Sequence, residues 1–115
     1  MLPHIKIGGV NMLIATTNEI AVKKITSVKG LVQGSTVKAK HVGRDIGAGL
    51  KTLVGGEITG YSELMKEARE EAKNRMIEEA EDIGANAIVG MRYQTSQVMN
   101  GASEVIAYGT AVTVE

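Results

Sequence analysis

The stretch of this chain that comes nearest to a chemical device is GRDIGAGLKT, Gly43 to Thr52. It approaches the phosphate-gripping pattern GxxxxGK[ST], in which a glycine-rich turn points backbone N–H groups at phosphate and a lysine reaches the same anion from the first helical turn. Here Leu50 intrudes between Gly49 and Lys51. One extra residue swings a helical side chain by about 100°, so the lysine misses its phosphate. Ile46, Leu50 and Leu53 recur at three- and four-residue spacing, which puts the glycines inside a short helix rather than in a turn before one. Nucleotide binding is therefore not expected.

Metal ligation has few donors to draw on. The chain holds His4, His41 and no cysteine, whereas zinc or copper needs three or four converging nitrogen or sulfur ligands. One subunit cannot supply them, and only His41 pooled from several copies around an axis could. Apart from start residues, the methionines read as adaptable core filling. Nucleophilic catalysis needs Ser or Thr beside a base; His41 alternates with Val37 and Ala39 on an apolar strand face, and Thr16-Thr17 has no free amino group before it. Lysine-bearing strands without interleaved aromatic residues make no nucleic-acid platform. A polar quartet is left: Arg44, Asp45, Glu57 and Tyr61 flank two glycine-rich junctions and could line a small pocket for a small-molecule ligand. The competing reading has Asp45 capping its helix, Arg44 pairing across an interface and Tyr61 packing under the long helix. No catalytic residue and no cofactor is expected.

The elements that must position these residues follow from composition and periodicity. A chain of 115 residues suits one domain. The run MLIATTNEI beginning at Met12 would make a natural protein start, so residues 1–11 are read as an extension or artefact and 12–115 as the domain. Three Tyr with no Phe and no Trp leave an aliphatic, alanine-lined core. Such a core buries little area per side chain, and further aliphatic surface covered by copies of the chain contributes about 25 cal/mol per Å². Lys plus Arg equal Asp plus Glu at 13 each, so no net field draws nucleic acid or an anionic membrane. The layout is uneven: through Lys51 the chain is basic and from Glu57 to Asp82 it is acidic, so the two segments attract each other within a subunit or between neighbours. No apolar run reaches membrane length and no signal-peptide pattern opens the chain, so a cytoplasmic location is expected.

MLIAT reads as a strand, and EIAVKKITSVKGLVQGSTVKAKHV continues with β-branched residues, Gly30 and Gly34 marking bends or close backbone approaches. Within it Val37, Ala39 and His41 share one face, and Lys38 and Lys40 the other, read as solvated. RDIGAGLKTLVGG predicts a short helix. In GYSELMKEAREEAKNRMIEEAEDIGANA, the residues Tyr61, Met65, Ala68, Ala72, Met76, Ala80 and Ile83 form one helical stripe, ended by Gly84 as a left-handed cap. Two further strands, ANAIVGMRYQTSQVM and SEVIAYGTAVTV, are joined at Asn100-Gly101, which suits a type I′ turn. The order is β-β-α-α-β-β, an α+β subunit.

The string DIGAGLKTLVGGEITGYSELMKEAREEAKNRMIEEAEDIGANAIVGMRY, followed by AYGTAVTV, resembles the YbjQ-like family of small bacterial and archaeal proteins from about Met12 onward. The resemblance implies a subunit related to the dodecin-like architecture that assembles as a ring-shaped homo-oligomer, typically a pentamer. It also implies a heavy-metal-binding label, for which the residues offer no ligand set, and it carries over no catalytic residue. The expected function is a ring-forming structural or small-ligand-binding protein and not an enzyme. Heavy-metal binding with ligands pooled across subunits is the first alternative, and an enzyme the second.

Overall fold

The computed structural model describes residues 4–7, 10–39 and 56–115, with side chains described over 11–39 and 60–115. Among the described residues the elements are strands β1 (His4–Ile7), β2 (Val10–Ile14) and β3 (Ile25–Ala39), helix α1 (Gly56–Asp82), and strands β4 (Ala87–Met99) and β5 (Ala102–Val114). The fold is α+β, and the short helix expected over RDIGAGLKTLVGG lies outside the described residues. The five strands form one sheet in the order β1-β2-β4-β5-β3. β2 and β4 run parallel and the other neighbours antiparallel. Residues 4–7 belong to the sheet, with Ile5 opposite Met12.

β3 is 15 residues long. At about 3.3 Å per residue it spans roughly 50 Å, close to the longest extent of 55 Å. Its two glycines behave differently. Gly30 sits at a register shift against β5. At Gly34 the backbone of α1 comes so close that a Cβ built there lies 2.7 Å from Arg75 Cβ and nearer still to the Ala72 carbonyl and Met76 amide.

α1 lies over β3 and β5 because its stripe of small and flexible side chains permits that approach. Ala68, Ala72, Met76 and Ala80 are fully buried, as their spacing predicts, while Met65 and Tyr61 are half-buried. Ile77 is also fully buried; a stripe about 100° wide takes in the neighbour of Met76. Ile83 departs from the expectation: it falls just past the helix and is 42% exposed. The stop is at Gly84, with φ of 80°. Its N–H donates to the Glu81 carbonyl at 3.0 Å, and the Ala85 N–H donates to the Ala80 carbonyl at 3.0 Å, the paired bonds of a Schellman cap.

The helix-side core joins that stripe to Met12, Val32, Ala85, Ile88, Met91, Val105, Ala107 and Ala111. A smaller core lies on the opposite face at one end of the sheet, where Leu13, Ala87, Val89, Val112 and Val114 are covered by Ile20 from the loop after β2.

Two expectations are corrected. β3 does alternate, but its faces are the reverse of those expected: Lys38 shares the helix-facing row with Val32, Gly34 and Thr36, while Val37 points to the other side and is 55% exposed. Glu71 on α1 supplies the carboxylate that makes the inner position favourable for a lysine. The hairpin does turn at Asn100-Gly101, but it is not type I′, which requires positive φ at both residues. Only Gly101, at 77°, has it, and a register irregularity between Gln97 and Met99 accompanies the turn.

Candidate functional site

Of the quartet read from sequence, Arg44 and Asp45 lie outside the described residues. Glu57 falls in the first turn of α1, but its side chain lies outside the described ones. Tyr61 is half-buried, and its hydroxyl shares a hydrogen bond of 2.9 Å with Ser103 Oγ on β5. The structure thus brings Tyr61 to Ser103, and the other three side chains lie outside the described ones. His41 is likewise outside the described residues. Among the described residues no group of three or more His, Cys, Asp or Glu is arranged to hold a metal ion. Their donor set does not fit a heavy-metal centre.

A polar cluster joins α1 to the edge strand β3. Glu71 Oε2 meets Lys38 Nζ at 2.6 Å, and Glu71 Oε1 accepts from Thr36 Oγ1 at 3.2 Å. The hydrogen bond from Lys38 holds the Glu71 carboxyl below the usual carboxylate range, and the same bond raises the Lys38 ammonium above its ordinary value. Further along, the Gln33 N–H donates to Glu79 Oε1 at 3.0 Å and Arg75 Nη1 donates to the Ser35 carbonyl at 2.6 Å. These backbone groups point away from β5, so helix side chains occupy the sheet edge there and obstruct the addition of another strand. Chemically the cluster is a clamp. Its charges satisfy one another, and both partners of the central pair titrate away from neutrality.

The sheet face away from α1 exposes large aliphatic side chains. Cross-strand register sets Gln33, Tyr108 and Arg92 in one row, Ser35, Ile106 and Gln94 in the next, and Val37, Glu104 and Ser96 in a third. Val28 and Leu31 share this face and are 67% and 68% exposed. Arg92 is the one charged residue of β4. Its Nη1 donates to the Thr16 carbonyl at 2.8 Å and to the Met91 carbonyl at 2.9 Å, tying the loop after β2 to this face. Sequence reading passed over it, although a lone cation in an otherwise uncharged strand was a usable signal. The arrangement suits a binding surface, aliphatic along β3 and polar across β5 and β4, and no nucleophile–base pair is formed on it by the hydrogen bonds described.

Residues 12–115 match the model of the YbjQ family, whose description reads "Putative heavy-metal-binding". A UPF0145 protein of Halalkalibacterium halodurans is 62% identical over 104 residues, covering 90% of this chain and 98% of that protein. Another, of Methanosarcina acetivorans, is 56% identical over 103 residues, covering 90% and 97%. A crystal structure of a protein of unknown function from the DUF74 family of Pediococcus pentosaceus shares the fold, with a TM-score of 0.58 at 22% identity over 90% of this chain and 98% of that one. None of these names states a reaction. With the family model spanning the hairpin, the long helix and the clamp residues alike, the chain belongs to the YbjQ family of UPF0145 proteins.

Proposed function

We propose that this chain is the subunit of a closed homo-oligomer, a structural or small-ligand-binding assembly rather than a catalyst. The observation that carries the reading is the exposed aliphatic row of Val28, Leu31 and Val37 on the sheet face away from α1. Large aliphatic side chains grouped on one face favour coverage, at about 25 cal/mol per Å² of apolar surface removed from water. The chain's own core draws heavily on alanine, so surface supplied by copies adds materially to a thin interior. Five subunits is the number implied by the family resemblance. Native mass spectrometry with light scattering tests this: a discrete multimer at micromolar concentration is expected, weakened by Leu31→Lys. A folded, cooperative monomer at every concentration would refute it. The same spectra from protein purified out of cells should carry the mass of any retained small molecule. A cytoplasmic site of action belongs to this reading and is checked by fractionation.

The family description favours a second reading, in which metal is held by ligands pooled between copies. His41 is the histidine of the domain proper available for it. Stoichiometric zinc or copper that survives dialysis and disappears in His41→Ala would establish that reading; well under one metal per subunit, unchanged in the variant, would remove it.

A further inference from the structure

The loop between β2 and β3 contains the one non-glycine residue at positive φ among the described residues, Val22 at 57°. It is the third residue of a β-turn closed by the Lys23 N–H donating to the Ile20 carbonyl at 3.1 Å. Glycine or asparagine fills that position at little cost, whereas a β-branched side chain there is strained. Val22 is also 98% exposed, so no burial within the chain offsets the strain. Lys23 and Lys24 beside it are exposed. The turn is nevertheless held firmly: Ile20 is anchored in the smaller core, and Lys24 exchanges both backbone hydrogen bonds with Glu115 at 3.1 and 3.0 Å.

At the same end of the sheet, on its other face, α1 terminates. The two ends are tied by Asn86, whose side chain bonds the Val114 N–H at 2.8 Å and the Val114 carbonyl at 3.0 Å. The last turn of α1 has no basic residue. It carries Glu79, Glu81 and Asp82 instead, with Glu78 one residue earlier. Carboxylates at the negative end of a helix dipole are unfavourable, and cations are what that end calls for. Glu78 and Asp82 are exposed, as is Ile83 just past the helix.

We infer that the Val22 turn of one copy docks on the C-terminal end of α1 of the next, Val22 against Ile83 and Lys23 and Lys24 against Glu78 and Asp82. The inference rests on the homo-oligomer reading and gives it a specific contact. Each patch offers what the other lacks: an aliphatic side chain with two ammonium groups on one, an aliphatic side chain with two carboxylates on a helix end whose last turn has no basic residue on the other. The sheet stands between them, so they cannot meet within one chain. Two different patches on opposite faces make a head-to-tail contact, which generates a ring when the rotation closes.

Charge reversal in the full-length protein, followed by sedimentation velocity across concentration at low and high salt, tests the contact. Lys23→Glu/Lys24→Glu should weaken association by roughly tenfold or more, and so should Glu78→Lys/Asp82→Lys. The second pair improves the helix dipole, so its loss of assembly would not reflect misfolding. Combining all four should restore association to near wild type, because the charges are exchanged and not removed. Val22→Gly should raise the melting temperature of the dissociated subunit while weakening assembly. Double variants that assemble as wild type, or a fourfold variant that fails to recover, would overturn this contact and leave the homo-oligomer reading standing. A wild-type protein that is monomeric throughout would remove both.

Discussion

Replacing Gly34 by alanine places a methyl group where α1 presses on β3. The new Cβ would lie 2.7 Å from Arg75 Cβ and closer to the helix backbone at Ala72 and Met76, where ordinary contact begins near 3.4 Å. Neither backbone atom is the end of a flexible side chain, so the helix must retreat by roughly 1 Å, enough to forfeit a quarter to a half of the local dispersion energy. Overpacking of this kind costs about 1–3 kcal/mol. The flanking bonds from Gln33 to Glu79 and from Arg75 to Ser35 would stretch, at about 0.5–1.5 kcal/mol each if lost. Against this, alanine lowers the entropy of the unfolded chain, a gain of at most about 1 kcal/mol. The net expectation is a destabilisation of about 2–4 kcal/mol, or roughly 8–16 °C in Tm for a domain of this size. Thermal unfolding followed by circular dichroism must be run at one fixed protein concentration, because the proposed assembly would make Tm concentration-dependent. Gly60→Ala is the matched control: it lies in α1 with nothing among the described residues within 4 Å of its Cβ, so it should stabilise by about 0.5–1 kcal/mol. If Gly34→Ala leaves Tm unchanged or raises it, the close approach of helix and strand is wrong.

Gly84→Val should cost roughly 1–2 kcal/mol through positive φ alone, since its Cβ would meet nothing among the described residues; urea denaturation showing no change in midpoint would remove the cap. Tyr61→Phe leaves the buried Ser103 hydroxyl without its partner and should cost about 1 kcal/mol, whereas an unchanged midpoint would mean that water replaces the tyrosine. Glu71 is depressed chiefly by its hydrogen bond from Lys38, so its contribution is present above the ordinary carboxylate range and is lost as pH falls through the lower folded value. Lys38 is raised, so its contribution is present below the ordinary lysine value and is lost as pH rises through the higher folded one. Stability should be flat near neutrality, and Glu71→Gln should flatten the acid limb of a Tm–pH profile; an acid limb identical to wild type would count against the clamp.

Much of the architecture was legible because its signals are local. Ala68, Ala72, Met76 and Ala80 announce a helix face within a few turns, and Gly84 ends it because its φ is a property of one residue and its neighbours. Gly34 was readable as a bend or a close approach, and the structure selects the approach. The polar quartet was less accessible. Its members belong to different segments, and nothing local announces that the Tyr61 hydroxyl pairs with Ser103, forty-two residues away. The strain at Val22 was invisible for a related reason, since a valine after an alanine carries no turn signal and the conformation is imposed by anchors at Ile20 and Lys24 on either side.

The sequence by itself determined the α+β class, the long helix and its stop, the hairpin position and the thin aliphatic core. Only the tertiary structure decided which face of β3 meets α1. A period-two pattern is unchanged when its faces are exchanged, and both rows of this strand mix apolar with polar residues. The choice fell to the partners: the backbone of α1 needed Gly34, and Glu71 needed Lys38. That choice turned Val28, Leu31 and Val37 outward, and with them the surface that the proposed assembly would cover.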